Sequence, residues 1–89
     1  MSWFVYIVEC RDGSYYTGST NDLARRVDAH NRGRGAKYTA GRSPVRLVYT
    51  EPCPDRSSAV RREAGIKKLP RQKKAALIES APMGNGDRD

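Results

Sequence analysis

The chain has a single histidine, a single tryptophan and a single phenylalanine among its 89 residues, and only two cysteines. These shortages exclude several classes of protein. Cys10 and Cys53 lack Cys-x-x-Cys spacing, and one imidazole cannot complete the ligand set of a zinc site. Both cysteines follow apolar, strand-like runs and read as reduced structural thiols. No stretch approaches the roughly 18 apolar residues that a membrane span requires. The apolar start Trp3–Val8 is too short for a signal peptide and lacks a basic leader. A soluble, cytoplasmic protein with no membrane partner is therefore expected. Acids are also scarce, with 10 Asp+Glu against 17 Lys+Arg and a net charge of +7. Such an excess of cations favours polyanions, nucleic acid ahead of acidic membrane. The length allows one small domain with one modest core.

What is present reads in a clear order. Trp3 to Cys10 is aromatic and β-branched with no breaker, which predicts a buried strand. Arg11-Asp12-Gly13 supplies an Asp-Gly turn, and Ser14 to Ser19 returns as a second strand. Thr20, Asn21 and Asp22 offer N-cap chemistry for a helix over Leu23 to Asn31. Residues 32–44 form a glycine- and cation-rich loop, long for so small a domain. Val45 to Thr50 reads as a third strand, ended by Pro52 and Pro54. Asp55 or Ser57 caps a second helix running to about Leu69, and Pro70 opens a third that ends near Ser80. The expected architecture is α+β: a small antiparallel three-stranded sheet flanked by helices, in the order β-β-α-β-α-α. The domain spans 1–80, and 81–89 reads as a disordered tail.

Helical phase sorts the charged residues. At about 100° per residue, Leu23 and Val27 define the buried direction of the first helix, with His30 between them and Arg26 about 60° from Leu23. Arg25 points to the opposite side. Arg26 is either a cation snorkelling over the core or a residue of a site, and His30 is either a site residue or a helix-end imidazole favoured by the dipole. On the second helix Ala59 and Ile66 face inward, and Glu63 lies on the same stripe. An inward carboxylate needs a partner: an ion pair with Lys67 or Arg26, or a metal ion. Tyr6 and Tyr16 fall on strands that the Asp-Gly turn pairs, so a cross-strand meeting is expected. Tyr15 faces the other way.

Phe4-Val5-Tyr6, Tyr16-Thr17-Gly18, the stretch Asn21-Asp22-Leu23-Ala24-Arg25-Arg26, His30 and Glu63 occur in the order and spacing of the GIY-YIG nuclease domain. The chain resembles that superfamily over about Ser2 to Ser80. Gly35-Ala36-Lys37-Tyr38-Thr39 and the Lys67 to Lys74 stretch are similar to its small single-domain branch. Phe4-Val5 stands where the name motif has glycine-isoleucine, and Thr17 where it has its second isoleucine.

The resemblance implies a metal-dependent endonuclease that hydrolyses phosphodiester bonds in nucleic acid, DNA ahead of RNA, with weak sequence selectivity. A nucleic-acid-binding module of the same fold, non-catalytic or dependent on a partner, is the alternative. Family members often join the nuclease to a separate DNA-binding or repair domain, so a protein partner that supplies targeting is expected. The implied catalytic set is Tyr6, Tyr16, Arg26, His30 and Glu63. Glu63 is the one inward carboxylate, which suits a single Mg²⁺ or Mn²⁺ ion. Arg26 then neutralises the scissile phosphate, and the general base is either a tyrosine or His30. Gly18 acts by omission, letting backbone or substrate approach. Arg32, Arg34, Lys37, Arg42, Lys67, Lys68, Arg71, Lys73 and Lys74 are expected to hold the flanking backbone, which gives affinity without sequence preference.

Overall fold

A computed structural model describes residues 2–80. The expected tail at 81–89 lies outside the described residues. The elements are β1 (Trp3–Glu9), β2 (Tyr15–Thr20), α1 (Leu23–Asn31), β3 (Arg46–Cys53), α2 (Arg56–Lys67) and α3 (Arg71–Ser80). This is the predicted order. The sheet is antiparallel throughout, with strand order β2-β1-β3. β1 is therefore central, and its run Val5–Val8 is fully buried. Apolar side chains on both faces of one strand need cover on both faces. One cluster joins Val5 and Ile7 to Ala59 and Ile66 of α2, with Leu77 and Ile78 of α3 against it. The other joins Tyr6, Val8, Cys10 and Val45, with Leu23 and Val27 of α1 against it. The two cysteines are free and buried, Cys10 in one cluster and Cys53 in the other.

Local chemistry fixes the joints. Gly13 adopts φ 86°, and the Asp12 carboxylate accepts from both the backbone N–H (3.1 Å) and the hydroxyl (2.6 Å) of Ser14. Asp22 caps α1 by accepting from the N–H of Arg25, and Asp55 forms a capping box with Ser58 on α2. Pro70 precedes α3, where its carbonyl accepts from the N–H groups of Lys73 and Lys74.

β3 departs from expectation. It begins at Arg46 and continues through Pro52 to Cys53. A proline is tolerated there because β3 is an edge strand, with one side facing no partner. Its register also shifts: Ile7 pairs with Tyr49 but Val8 with Leu47, so Val48 is an extra residue. The bulge lets Val45 and Leu47 pack on the α1 side while Val48 and Tyr49 pack on the α2 side.

One buried hydroxyl, Thr17 Oγ1, has no hydrogen-bond partner among the described residues. An orphaned polar group of this kind costs about 1–3 kcal/mol. Thr17→Val should stabilise the fold by about 1 kcal/mol, read as an upward shift of the urea midpoint. An unchanged or lowered midpoint would show that the hydroxyl is satisfied.

Candidate active site and nucleic-acid interface

Gly18 is directly opposite Tyr6 in the sheet, and Tyr16 is opposite Val8. The two tyrosines thus share a face and meet diagonally across the two strands. A Cβ at Gly18 would overlap the Tyr6 hydroxyl. The glycine is required because the phenol lies across its backbone. That phenol reaches His30 of α1, with Oη and Nε2 2.8 Å apart. The other ring nitrogen, Nδ1, is 2.7 Å from Thr39 Oγ1. His30 and Thr39 are both 0% exposed. Gly35 closes the rear of the imidazole, where a Cβ would strike the ring.

This chain of bonds assigns the tautomer. Thr39 donates its hydroxyl proton to the Ala36 carbonyl at 3.1 Å. Its oxygen therefore accepts from His30 Nδ1–H. Nε2 is left with a lone pair, and Tyr6 O–H donates to it. Burial, with Tyr16 beside it and Glu63 adding negative charge, pushes the Tyr6 pKa far above that of a free phenol, although Arg26 opposes this. Burial first, and Arg26 second, hold the His30 pKa below 6.5. The imidazole is neutral, set between a phenol and a threonine.

Because His30 is the only histidine, this has a clean consequence for stability. Below the ordinary histidine pKa of about 6.5 the unfolded chain takes up a proton that the fold refuses, so stability falls as pH drops from there toward the lower folded value. Chemical unfolding at pH 7.5 and pH 5.5 should show this loss in the wild type and not in His30→Gln. A variant with the same loss would place its origin elsewhere.

Glu63 approaches from α2. Its Oε1 accepts from Ser19 Oγ at 2.7 Å, and its Oε2 is 2.9 Å from Lys67 Nζ. The carboxylate thus has the i+4 ion pair that helix spacing offered. Its charge still reaches the Tyr6 hydroxyl. Among the described residues, no group of three or more His, Cys, Asp or Glu side chains could hold a metal. A carboxylate with a neighbouring hydroxyl is a hard-oxygen donor set. It fits one hydrated Mg²⁺ or Mn²⁺ ion better than a dedicated protein cage, and the Lys67 ammonium occupies the carboxylate that such an ion would use.

Lys67 also ties the site to a row of rings. Its Nζ lies 5.4 Å from the Tyr16 ring centroid. Tyr16 sits edge-on to His30 at 5.2 Å and stacks on Tyr38 at 5.9 Å. Arg42 lies over Tyr38 at 4.2 Å, and Arg71 over Tyr15 at 4.3 Å. Tyr15, on the other face of β2, lines a shallow groove with Ser14, Tyr38, Arg71 and Lys74. Of the cations expected to meet backbone phosphates, Arg42, Lys67, Arg71 and Lys74 therefore gather around three tyrosines. Lys37, Lys68 and Lys73 are exposed. Arg32 is taken up by Asp28 at 2.8 Å.

Arg26 is exposed, and its charge acts on both Tyr6 and His30. Arg25 is exposed as expected, yet it lines the same cleft as Arg26 instead of an opposite surface. The loop after α1 folds back, with the N–H groups of Gly33 and Arg34 donating to the His30 and Ala29 carbonyls. This brings Arg34 beside the helix face that carries Arg25. Sequence reasoning gave no role to Ser19 or Asn31, and Thr39 entered only within a matched segment. Asn31 bonds both backbone groups of Val45, at 2.6 and 3.2 Å, and so anchors the start of β3. No local pattern marks these residues, since their partners are 9 to 44 positions away.

Comparison with known proteins agrees with this geometry. The GIY-YIG catalytic domain family matches residues 2–76. A UPF0213 protein of Xanthomonas axonopodis pv. citri is 50% identical over 80 residues, covering 90% of this chain and 78% of that protein. One from Halobacterium salinarum is 58% identical over 74 residues, covering 83% and 96%. The solution structure of the UPF0213 protein of Bacillus halodurans superposes with a TM-score of 0.63 at 45% identity, covering 99% of this chain and 94% of that one. The match over residues 2–76, the shared topology and the gathering of Tyr6, Tyr16, Gly18, His30 and Glu63 around one strand edge lead to one conclusion: the chain belongs to the GIY-YIG catalytic domain family, among its small UPF0213 relatives.

Proposed function

We propose that the chain is a nucleic-acid-binding module on a GIY-YIG frame, and that phosphodiester hydrolysis is conditional on releasing Glu63 from Lys67. The observation that carries this reading is the position of Lys67. One ammonium both neutralises Glu63 and sits over Tyr16, so the carboxylate is already partnered. A polyanion is the natural counterpart of Arg71 and Lys74, which form no ion pair with a described residue, and of the exposed Lys37, Lys68 and Lys73.

A nuclease active in its own right is the second reading, favoured by the Tyr6–His30–Thr39 bonds. A divalent ion held by Glu63 would supply Lewis-acid neutralisation of the phosphate. The chain's own residues do the rest. A water oriented by Tyr6 gives its proton to the phenol oxygen as the phenol passes its own to His30 Nε2. His30 becomes imidazolium, with Nδ1–H still on Thr39. Burial and Arg26 oppose this charge in the free protein. A phosphodiester anion beside Arg26 offsets the arginine and makes His30 a better base. The resting protein therefore binds, and bound substrate completes the proton path.

The test is affinity for DNA and RNA oligonucleotides against salt concentration, in chelator. Binding should weaken steeply as salt rises, and Lys73→Gln with Lys74→Gln should flatten the slope by up to about two phosphate contacts without altering sequence preference. Salt-insensitive binding would remove nucleic acid as the ligand.

A further inference from the structure

Several arginines are paired with carboxylates. Arg32 pairs with Asp28, Arg42 with Asp12, Arg46 with Glu9 and Arg62 with Glu51. Around the start of α1 the side chains of Arg25, Arg26 and Arg34 form no ion pair or hydrogen bond with any described residue. All three line one open cleft of about 550 Å³, with Thr20, Asn21, Asp22, Ala29 and Gly35. Its one carboxylate, Asp22, already accepts from the N–H of Arg25 as the cap of α1. Three guanidinium groups around a single carboxylate leave an excess of positive charge, so an arrangement of this kind is stabilised by an anion from outside. The cleft has no aromatic ring to stack a base. It offers planar guanidinium forks and the Asn21 amide, which suit phosphate oxygens. Its volume exceeds what one phosphate fills.

We propose that this cleft is a phosphate-binding subsite, and that Arg25 and Arg34 hold the nucleic-acid phosphates next to the one that Arg26 meets. The proposal rests on the nucleic-acid reading above and adds to it a direction. The strand runs from the Tyr6–His30 edge across the start of α1, away from the groove lined by Tyr15, Tyr38 and Lys74. Gly35 joins the cleft to the Tyr6–His30 pair, since it lines the cleft and backs the His30 ring. Arg25 and Arg34 are binding residues here, with no part in proton transfer.

The experiment uses the full chain and the exposed substitutions Arg25→Gln and Arg34→Gln. Affinity for an oligonucleotide with and without a terminal phosphate is measured against salt, and arginine side-chain N–H signals are followed while inorganic pyrophosphate is added. Each substitution should lower the salt slope by about 0.7–0.9, the value of one phosphate contact, and the wild-type Arg25 and Arg34 signals should move with both ligands. A loss that needs the terminal phosphate identifies an end-binding cleft, and a loss without it identifies backbone phosphates. Both outcomes uphold the subsite. If both variants keep the wild-type slope while the Lys73/Lys74 variant flattens it, the subsite is wrong and nucleic-acid binding stands. If pyrophosphate moves the two arginines but no oligonucleotide binds, nucleic-acid binding is wrong and the phosphate cleft stands.

Discussion

Glu63→Gln is expected to abolish divalent-ion binding at the site and to lower any cleavage by orders of magnitude. Glutamine keeps the shape and can still accept from Ser19, but it gives neither Lys67 nor a metal ion a charge to meet. Binding in chelator should persist or tighten, because a negative charge has left the neighbourhood of the phosphate. Lys67→Met is the mirror experiment. A half-exposed ion pair is worth up to about 1 kcal/mol, so freeing Glu63 from it should raise metal affinity about twofold to fivefold. Calorimetric titration with Mn²⁺ and a cleavage assay on the three proteins check both expectations. A Glu63→Gln protein that cuts as well as wild type would mean that the carboxylate is only a member of the ion pair.

Arg26→Ala should be far more damaging to turnover than Arg25→Ala, although the two side chains are neighbours in one cleft. Only Arg26 acts on both Tyr6 and His30. Removing a group that faces charge developing on a phosphoryl oxygen costs about 10²–10³ in kcat. The Arg25→Ala loss should fall on KM, as expected of a group that holds flanking backbone. Both residues are exposed, so both variants should fold with wild-type circular dichroism. Equal losses in kcat would show that the reacting phosphate is not placed by Arg26.

Much of this fold is written locally. The unbroken run of β1, the Asp12-Gly13 turn and the caps Asp22 and Asp55 each depend on neighbours within a few residues, so the sequence predicts them well. The bulge at Val48 and the proline inside β3 depend on which strand lies at the edge, which only the assembled sheet decides. The site divides the same way. Helical phase placed His30 and Glu63 inward because Leu23, Val27, Ala59 and Ile66 set the stripe. It did not reveal that Thr39 fixes the imidazole tautomer, or that Gly18, not Tyr16, faces Tyr6. Arg25 is the exception. The wheel describes a lone helix, and the loop through Arg34 folds back and turns its outer face into a cleft wall.

The decisive measurement takes the wild-type protein alone. Labelled single-stranded, duplex and branched DNA, and RNA, are each incubated with Mg²⁺, with Mn²⁺ or with chelator, and binding and cutting are read from the same samples. The expected result is salt-sensitive binding under all three conditions, with any cutting confined to samples that contain a divalent ion. Failure to bind any of these nucleic acids at low salt would contradict the assignment at its root.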